Sequence, residues 1–146
     1  MSDVPPLIRE YADRARNLAA AIRNIQRSAI ELTLPIRTVN DSNGKHGHWA
    51  TKAKRRKAQR AVVALAFGTK LTRFRDVPCR VTLTRIQAGN RPMDFDGLVC
   101  SQKALRDALA ELLGRDDADR SIRWEYAQER GKAHGVRVRV EEWEAE

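Results

Sequence analysis

Three stretches of the chain alternate apolar and polar residues with a period of two. Cys79, Val81 and Leu83 alternate with Arg80, Thr82 and Thr84. Ile122, Trp124 and Tyr126 alternate with charged or polar neighbours, and Val136, Val138 and Val140 with Arg137, Arg139 and Glu141. Successive side chains of a strand point to opposite faces, so each stretch predicts a strand with one face buried. Gly131 and Gly135 lie between the last two stretches, and a hairpin over 121–127 and 136–143 is expected. Glu31 to Ile36 alternates as well, with Pro35 marking an edge or a strand end.

The intervening segments have helical spacing. Over residues 50–67, Ala50, Ala53, Ala61, Val62, Leu65 and Ala66 make an apolar side. Leu98, Leu105, Ala108, Leu109 and Leu112 predict a second core-facing helix, and Gly114 is its expected stop. Asn40-Asp41-Ser42-Asn43-Gly44 reads as a loop. Residues 6–29 predict a further helix. Val4, Tyr11, Leu18 and Ile25 recur every seven positions, with Ile8, Ala15, Ile22 and Ala29 as the complementary series. That is a narrow a/d seam of about three heptads. It either pairs two subunits or packs on its own domain. The expected fold is α+β: a small mixed or antiparallel sheet with helices packed on it over residues 31–146, preceded by an N-terminal helical extension, residues 1–30.

Aromatic residues are only 5% of the chain, so its core must be aliphatic. The 28 Lys and Arg against 19 Asp and Glu leave a net charge of +9, which a polyanion would relieve. Nucleic acid is the first candidate, ahead of an anionic membrane surface or a ribosome. No apolar run approaches the roughly 20 residues of a membrane span. Met1 to Pro6 lacks the basic start and apolar centre of a signal peptide, and Cys79 and Cys100 have no metal-type spacing. A cytoplasmic protein with two reduced thiols is expected.

The charge is segregated along the chain. Between Asp41 and Asp76 there is no acidic residue, and Lys45, Lys52, Lys54, Arg55, Arg56, Lys57 and Arg60 fall in that gap. With Arg91 they are the candidates for gripping DNA phosphates. Trp49 borders the strip and either stacks on a base or packs. His46 and His48 lack an obvious third ligand and read as loop residues.

Downstream the charge turns acidic. Asp94-Phe95-Asp96 in an extended segment would send both carboxylates to one side and Phe95 to the core. Two or three carboxylates suffice for magnesium, which keeps several waters. Asp116-Asp117 follows the predicted helix. A helix from Ser101 to Leu112 advances roughly 18 Å. Five extended residues span about 16–18 Å, so a return of Asp117 to Asp94 and Asp96 is just within reach.

This order of motifs resembles the RusA family of Holliday-junction resolvases. The similarity runs from about residue 31 to 143. It rests on Leu32-Thr33-Leu34-Pro35 with Asn40, Asp94-Phe95-Asp96-Gly97, Lys103-Ala104-Leu105-Arg106-Asp107-Ala108-Leu109, and Asp116-Asp117. Two departures stand out. Gly97 replaces the motif's Asn, and Lys103 lies three residues further from the acidic pair. The resemblance implies a magnesium-dependent endodeoxyribonuclease that resolves four-way DNA junctions by paired nicks, in recombination and repair, as a homodimer of bacterial or phage origin. By position, Asp94, Asp96 and Asp117 correspond to the metal-binding acids, Lys103 to the essential lysine and Asp116 to a helper. Asp107 is expected to be structural. No small-molecule cofactor is implied. The alternatives are a non-catalytic DNA-binding or junction-recognition module, in which the three acids are merely solvated, and a basic protein associated with RNA or the ribosome.

Overall fold

The computed structural model describes residues 4–27, 29–40 and 49–144, with the backbone alone for 23–27. In chain order the elements are α1 (Pro6–Arg27), β1 (Ile30–Leu34), α2 (Trp49–Phe67), β2 (Cys79–Gln87), α3 (Phe95–Ser101), α4 (Lys103–Leu112), β3 (Ile122–Arg130) and β4 (Gly135–Glu142). A 3-10 turn at Thr72–Phe74 links α2 to β2. The fold is α+β with a mixed four-stranded sheet, ordered β1-β4-β2-β3.

The alternating stretches form strands as expected, but β3 and β4 are not a hairpin. β3 pairs parallel with β2, and β4 lies antiparallel between β1 and β2. The Gly131–His134 link therefore crosses the end of β2, where Gly131 N donates to Gln87 O at 2.9 Å. The reason is in the residues. Val136, Val138 and Val140 are all fully buried, so β4 takes a central position. A parallel β2–β3 pair needs a long crossover, which α3 and α4 provide.

Register puts the apolar residues on one face. Val81 faces Val140 and Trp124, and Leu83 faces Val138 and Tyr126. Val63 and Phe67 of α2 pack there, with Leu105 and Leu109 of α4 and Leu113 beyond it. Each such side chain contributes about 1.5–3 kcal/mol by leaving water. The other face is wet and laced with ion pairs. Arg80 Nε donates to Glu141 Oε1 at 2.7 Å, Arg139 Nη1 to Glu31 Oε2 at 3.0 Å, and Arg137 pairs with Glu129.

The helices differ from expectation in two places. The single helix after Asp96 is two, broken at Gln102 (φ −99, ψ 1), whose side chain is fully buried. In α2 the buried face is Gln59, Val63 and Phe67, with Val62 and Ala66 half-buried. Ala50, Ala53 and Ala61 are exposed, and Leu65 is 87% exposed. The run Ala61 to Phe67 is apolar all round, so periodicity could not choose its inner face. Position 114 did behave as expected: Gly114 has φ +67, where a side chain is strained, and it ends the helix.

Helix α1 forms as expected. From Val4 to Ile22 every residue is exposed, so this part of its seam does not pack on the domain. Pro6 suits a first helical turn, and Arg14 pairs with Glu10 at 2.6 Å along the helix surface. Among the described residues no helix is long and apolar enough to cross a membrane.

Candidate functional site

Along the core face of β2 the row Cys79, Val81, Leu83 ends in Arg85, which faces Gln128 of β3 and Val136 of β4. The apolar face thus gives way to polar groups at one end of the sheet, and the chain leaves β2 there toward Asp94. Gln128 fixes this exit. Its Oε1 accepts from Met93 N at 2.9 Å, and its Nε2 donates to Met93 O at 2.6 Å.

Asp94-Phe95-Asp96 is not extended. Asp94 is the N-cap of α3, with Oδ1 accepting from Gly97 N at 2.9 Å. Aspartate is among the best N-caps because it satisfies an orphan amide of the first turn. Leu98, 3% exposed, anchors that turn in the protein. Asp96 lies within the turn. Phe95 is 66% exposed rather than in the core, and stands edge-on to Tyr126 with ring centroids 6.3 Å apart.

The glycine that replaces the motif's Asn has a neighbour. A Cβ on Gly97 would lie 2.6 Å from Asp94 Oδ1 and 2.9 Å from Asn40 Nδ2. The carboxamide of Asn40, from the segment after β1, thus reaches the space that a side chain at 97 would claim.

Asp117 sits at the other end of the crossover. Arg106 Nη2 donates to its carbonyl oxygen at 2.9 Å, and Arg106 Nε lies 3.3 Å from Oδ2 as a charge contact. Trp124 Nε1 also donates to Asp117 O, at 3.0 Å. Met93 is tied to position 128 and Asp117 to position 124 of the same strand, anchor points about 13 Å apart. Asp117 is turned to Arg106, and within the described residues it does not join Asp94 and Asp96. Among those residues no group of three or more His, Cys, Asp and Glu is placed to hold a metal ion.

What α4 does bring together is Lys103 and Asp117. With Val99, Cys100, Arg106 and Tyr126 they line a pocket of about 140 Å³. Val99 and Cys100 are three and four residues on from Asp96, so Asp96 shares their side of α3. Lys103 Nζ is 4.0 Å from Asp107 Oδ2, a helical i,i+4 pair. Asp116 lies elsewhere. Its Oδ1 accepts from Ala118 N at 2.9 Å, and it borders a pocket of about 430 Å³ with Arg60, Asp107, Glu111 and Asp117.

Asp94 and Asp96 offer the hard oxygen donors that magnesium takes. One or two protein carboxylates, completed by water and substrate phosphate, are its usual set. Their donor chemistry fits the ion without Asp117.

The basic strip lies beside this machinery because α2 packs on α4. Lys54, Arg56, Lys57 and Arg60 are exposed, while Lys52 and Arg55 are half-buried. Arg56, Arg60, Lys103, Ala104 and Asp107 line one cleft. Arg60 also pairs with Glu111 at 2.7 Å. Trp49 opens α2 and is 73% exposed. Lys45, His46 and His48 lie outside the described residues.

Sequence reasoning missed Arg37, Arg85 and Thr38, which line a pocket with Asn40, Arg91 and Asp94. A signal was present: Arg85 occupies a core-facing register position, where a charge needs a reason. Burial, and then the charge of Arg37, hold Arg85 below the ordinary arginine range. Compared with models of known protein families and with curated proteins, the chain matches none.

Proposed function

We propose that the chain is a magnesium-dependent endonuclease acting on branched DNA, with four-way junctions as substrate and a homodimer as the working form. The observation that carries this reading is the shared cleft of Arg56, Arg60, Lys103 and Asp107. A cationic helix adjoins the lysine that the motif resemblance marks as essential, and the acidic turn of α3 lies one break before it.

Asp94 and Asp96 would hold the ion. Once bound, magnesium supplies Lewis acidity toward a phosphate oxygen and a water. Lys103 would set positive charge beside the oxygen that leaves when the P–O bond breaks. Arg56 and Arg60, with Lys52, Lys54, Arg55 and Lys57, would grip the flanking phosphates. Arg106 orients Asp117 along the same pocket. Asp116, held on Ala118 N, takes no direct part.

The test is Asp96→Asn. Cleavage of a labelled junction in magnesium is expected to vanish while junction binding persists; undiminished cleavage refutes the assignment. A second reading draws on the Arg106–Asp117 contact, which neutralises the third acid. It is a non-catalytic junction-recognition module, and it predicts binding without cleavage at any magnesium concentration.

A further inference from the structure

We propose that Arg37, Arg85 and Arg91, with the hydroxyl of Thr38, form a pocket for a backbone phosphate of the DNA strand beside Asp94. The inference rests on the nucleic-acid reading above and adds a site on a different element from the α2 strip.

The pocket has a volume of about 470 Å³ and opens where the apolar face of the sheet ends. Three arginines, Arg37, Arg85 and Arg91, line it. On the opposite face of the same sheet arginines are matched by carboxylates: Arg80 with Glu141, Arg123 with Glu125, Arg137 and Arg139 with Glu31. In the pocket Arg37 and Arg91 have no acidic partner among the described residues, and Arg85 has only the amide oxygen of Gln87, at 3.2 Å. The one carboxylate on the rim, Asp94, is engaged by Gly97 N. Like charges held around one hollow repel unless an anion joins them.

A second observation points the same way. Thr38, one of the residues lining this pocket, is 4% exposed, and its buried Oγ1 has no hydrogen-bond partner among the described residues. Buried hydroxyls are nearly always satisfied, so an orphan donor at a cationic pocket calls for an oxygen ligand. The class of ligand follows from the donors. Guanidinium forks match the paired oxygens of phosphate, and a hydroxyl serves a third. Burial is the first cause that lowers Arg85, and the charge of Arg37 beside it is the second. Seated here, a phosphate lies next to Asp94, so the pocket would hold the strand in register with the acidic turn.

The test uses the full chain without magnesium, so it is independent of cleavage. The arginine Nε–H resonances are followed by NMR as inorganic phosphate is added, with chloride at equal ionic strength as control. Saturable shifts of Arg37, Arg85 and Arg91 are expected, and Arg37→Gln with Arg85→Gln should abolish the remaining shift, that of Arg91. The same double variant should weaken junction binding at least about tenfold and reduce the salt slope by about 1, the share of one phosphate. Phosphate acting no differently from chloride overturns the site. Phosphate binding with an unchanged DNA slope overturns the backbone assignment and leaves a free-phosphate site. Arg91→Gln, on an exposed loop, gives the same readouts should the double variant not fold. Loss of cleavage in Asp96→Asn bears on the nuclease reading alone.

Discussion

Arg106 and Asp117 face each other across the pocket at the start of α4, with Nε 3.3 Å from Oδ2. The same guanidinium donates to the Tyr126 hydroxyl at 2.9 Å and lies over the Trp124 ring, 4.9 Å from its centroid. One side chain thus fixes the turn before β3, a β3 aromatic and a candidate acid. Arg106→Gln should lower stability by about 2 kcal/mol, the scale of charged hydrogen bonds at a partly buried site. Urea denaturation checks this. Junction cleavage should fall as well, since Asp117 loses its orientation. Unchanged stability would show that the pair is ornamental to the fold.

The Gly97–Asn40 contact makes a reciprocal prediction. Gly97→Asn introduces the residue that the resembling motif carries, yet its Cβ would meet Asn40 Nδ2 at 2.9 Å and Asp94 Oδ1 at 2.6 Å. Both obstacles are side-chain ends that can swing away, so the cost should be about 1–2 kcal/mol rather than unfolding. Removing the obstacle with Asn40→Ala should recover most of it. A double-mutant cycle read by thermal or urea denaturation should give a coupling of about 1 kcal/mol. Additive effects would mean that the two positions do not compete for one space.

Much of this was legible because period-two patterns identify a strand and its buried face from a few residues. Val136, Val138 and Val140 identified β4 in that way. They could not identify its neighbours, since pairing partners depend on where the crossover of α3 and α4 runs. Asp94 was expected in an extended segment but caps α3. Its preference for an N-cap, with Gly97 three residues on, was the competing local signal. Asp117 was expected to join Asp94 and Asp96 because chain length permits it; it pairs instead with Arg106, in the first turn of α4. The arginine pocket was missed because Arg37, Arg85 and Arg91 come from three separate segments and meet only in the fold.

The two thiols should differ sharply. Cys79 is fully buried and Cys100 exposed. Burial pushes the Cys79 thiol above its ordinary value of 9.0, while the charge and hydrogen bond of Arg115 work against that rise. A thiol reagent should therefore label Cys100 in the native protein and reach Cys79 only on unfolding. The sign of the pH effect follows from linkage. A raised folded pKa means the stabilisation is complete below the unfolded pKa, then lost as pH climbs past it toward the folded value. Stability should decline above about pH 8.5. Cys79→Ala should be less stable at neutral pH but show a flatter alkaline slope. Equal slopes would remove Cys79 as the cause.

The exposed seam of α1 leads to a prediction about assembly. Tyr11 and Leu18 are each more than 60% exposed, and Ile8 is 56% exposed. Such a face, repeated at heptad spacing, pairs helices more readily than it tolerates water. A second copy offers the same seam, and a two-fold pairing would set two sites about one axis, as paired nicks require. Sedimentation of the full chain should therefore report a dimer. Tyr11→Glu with Leu18→Glu places charge in the centre of the seam. It should weaken the dimer at least about tenfold while leaving the sheet's thermal transition unchanged, because α1 residues 4–22 are exposed in the single chain. A dimer that ignores both substitutions must be built on another surface, and one that appears only with anionic vesicles would assign the seam to a lipid surface instead.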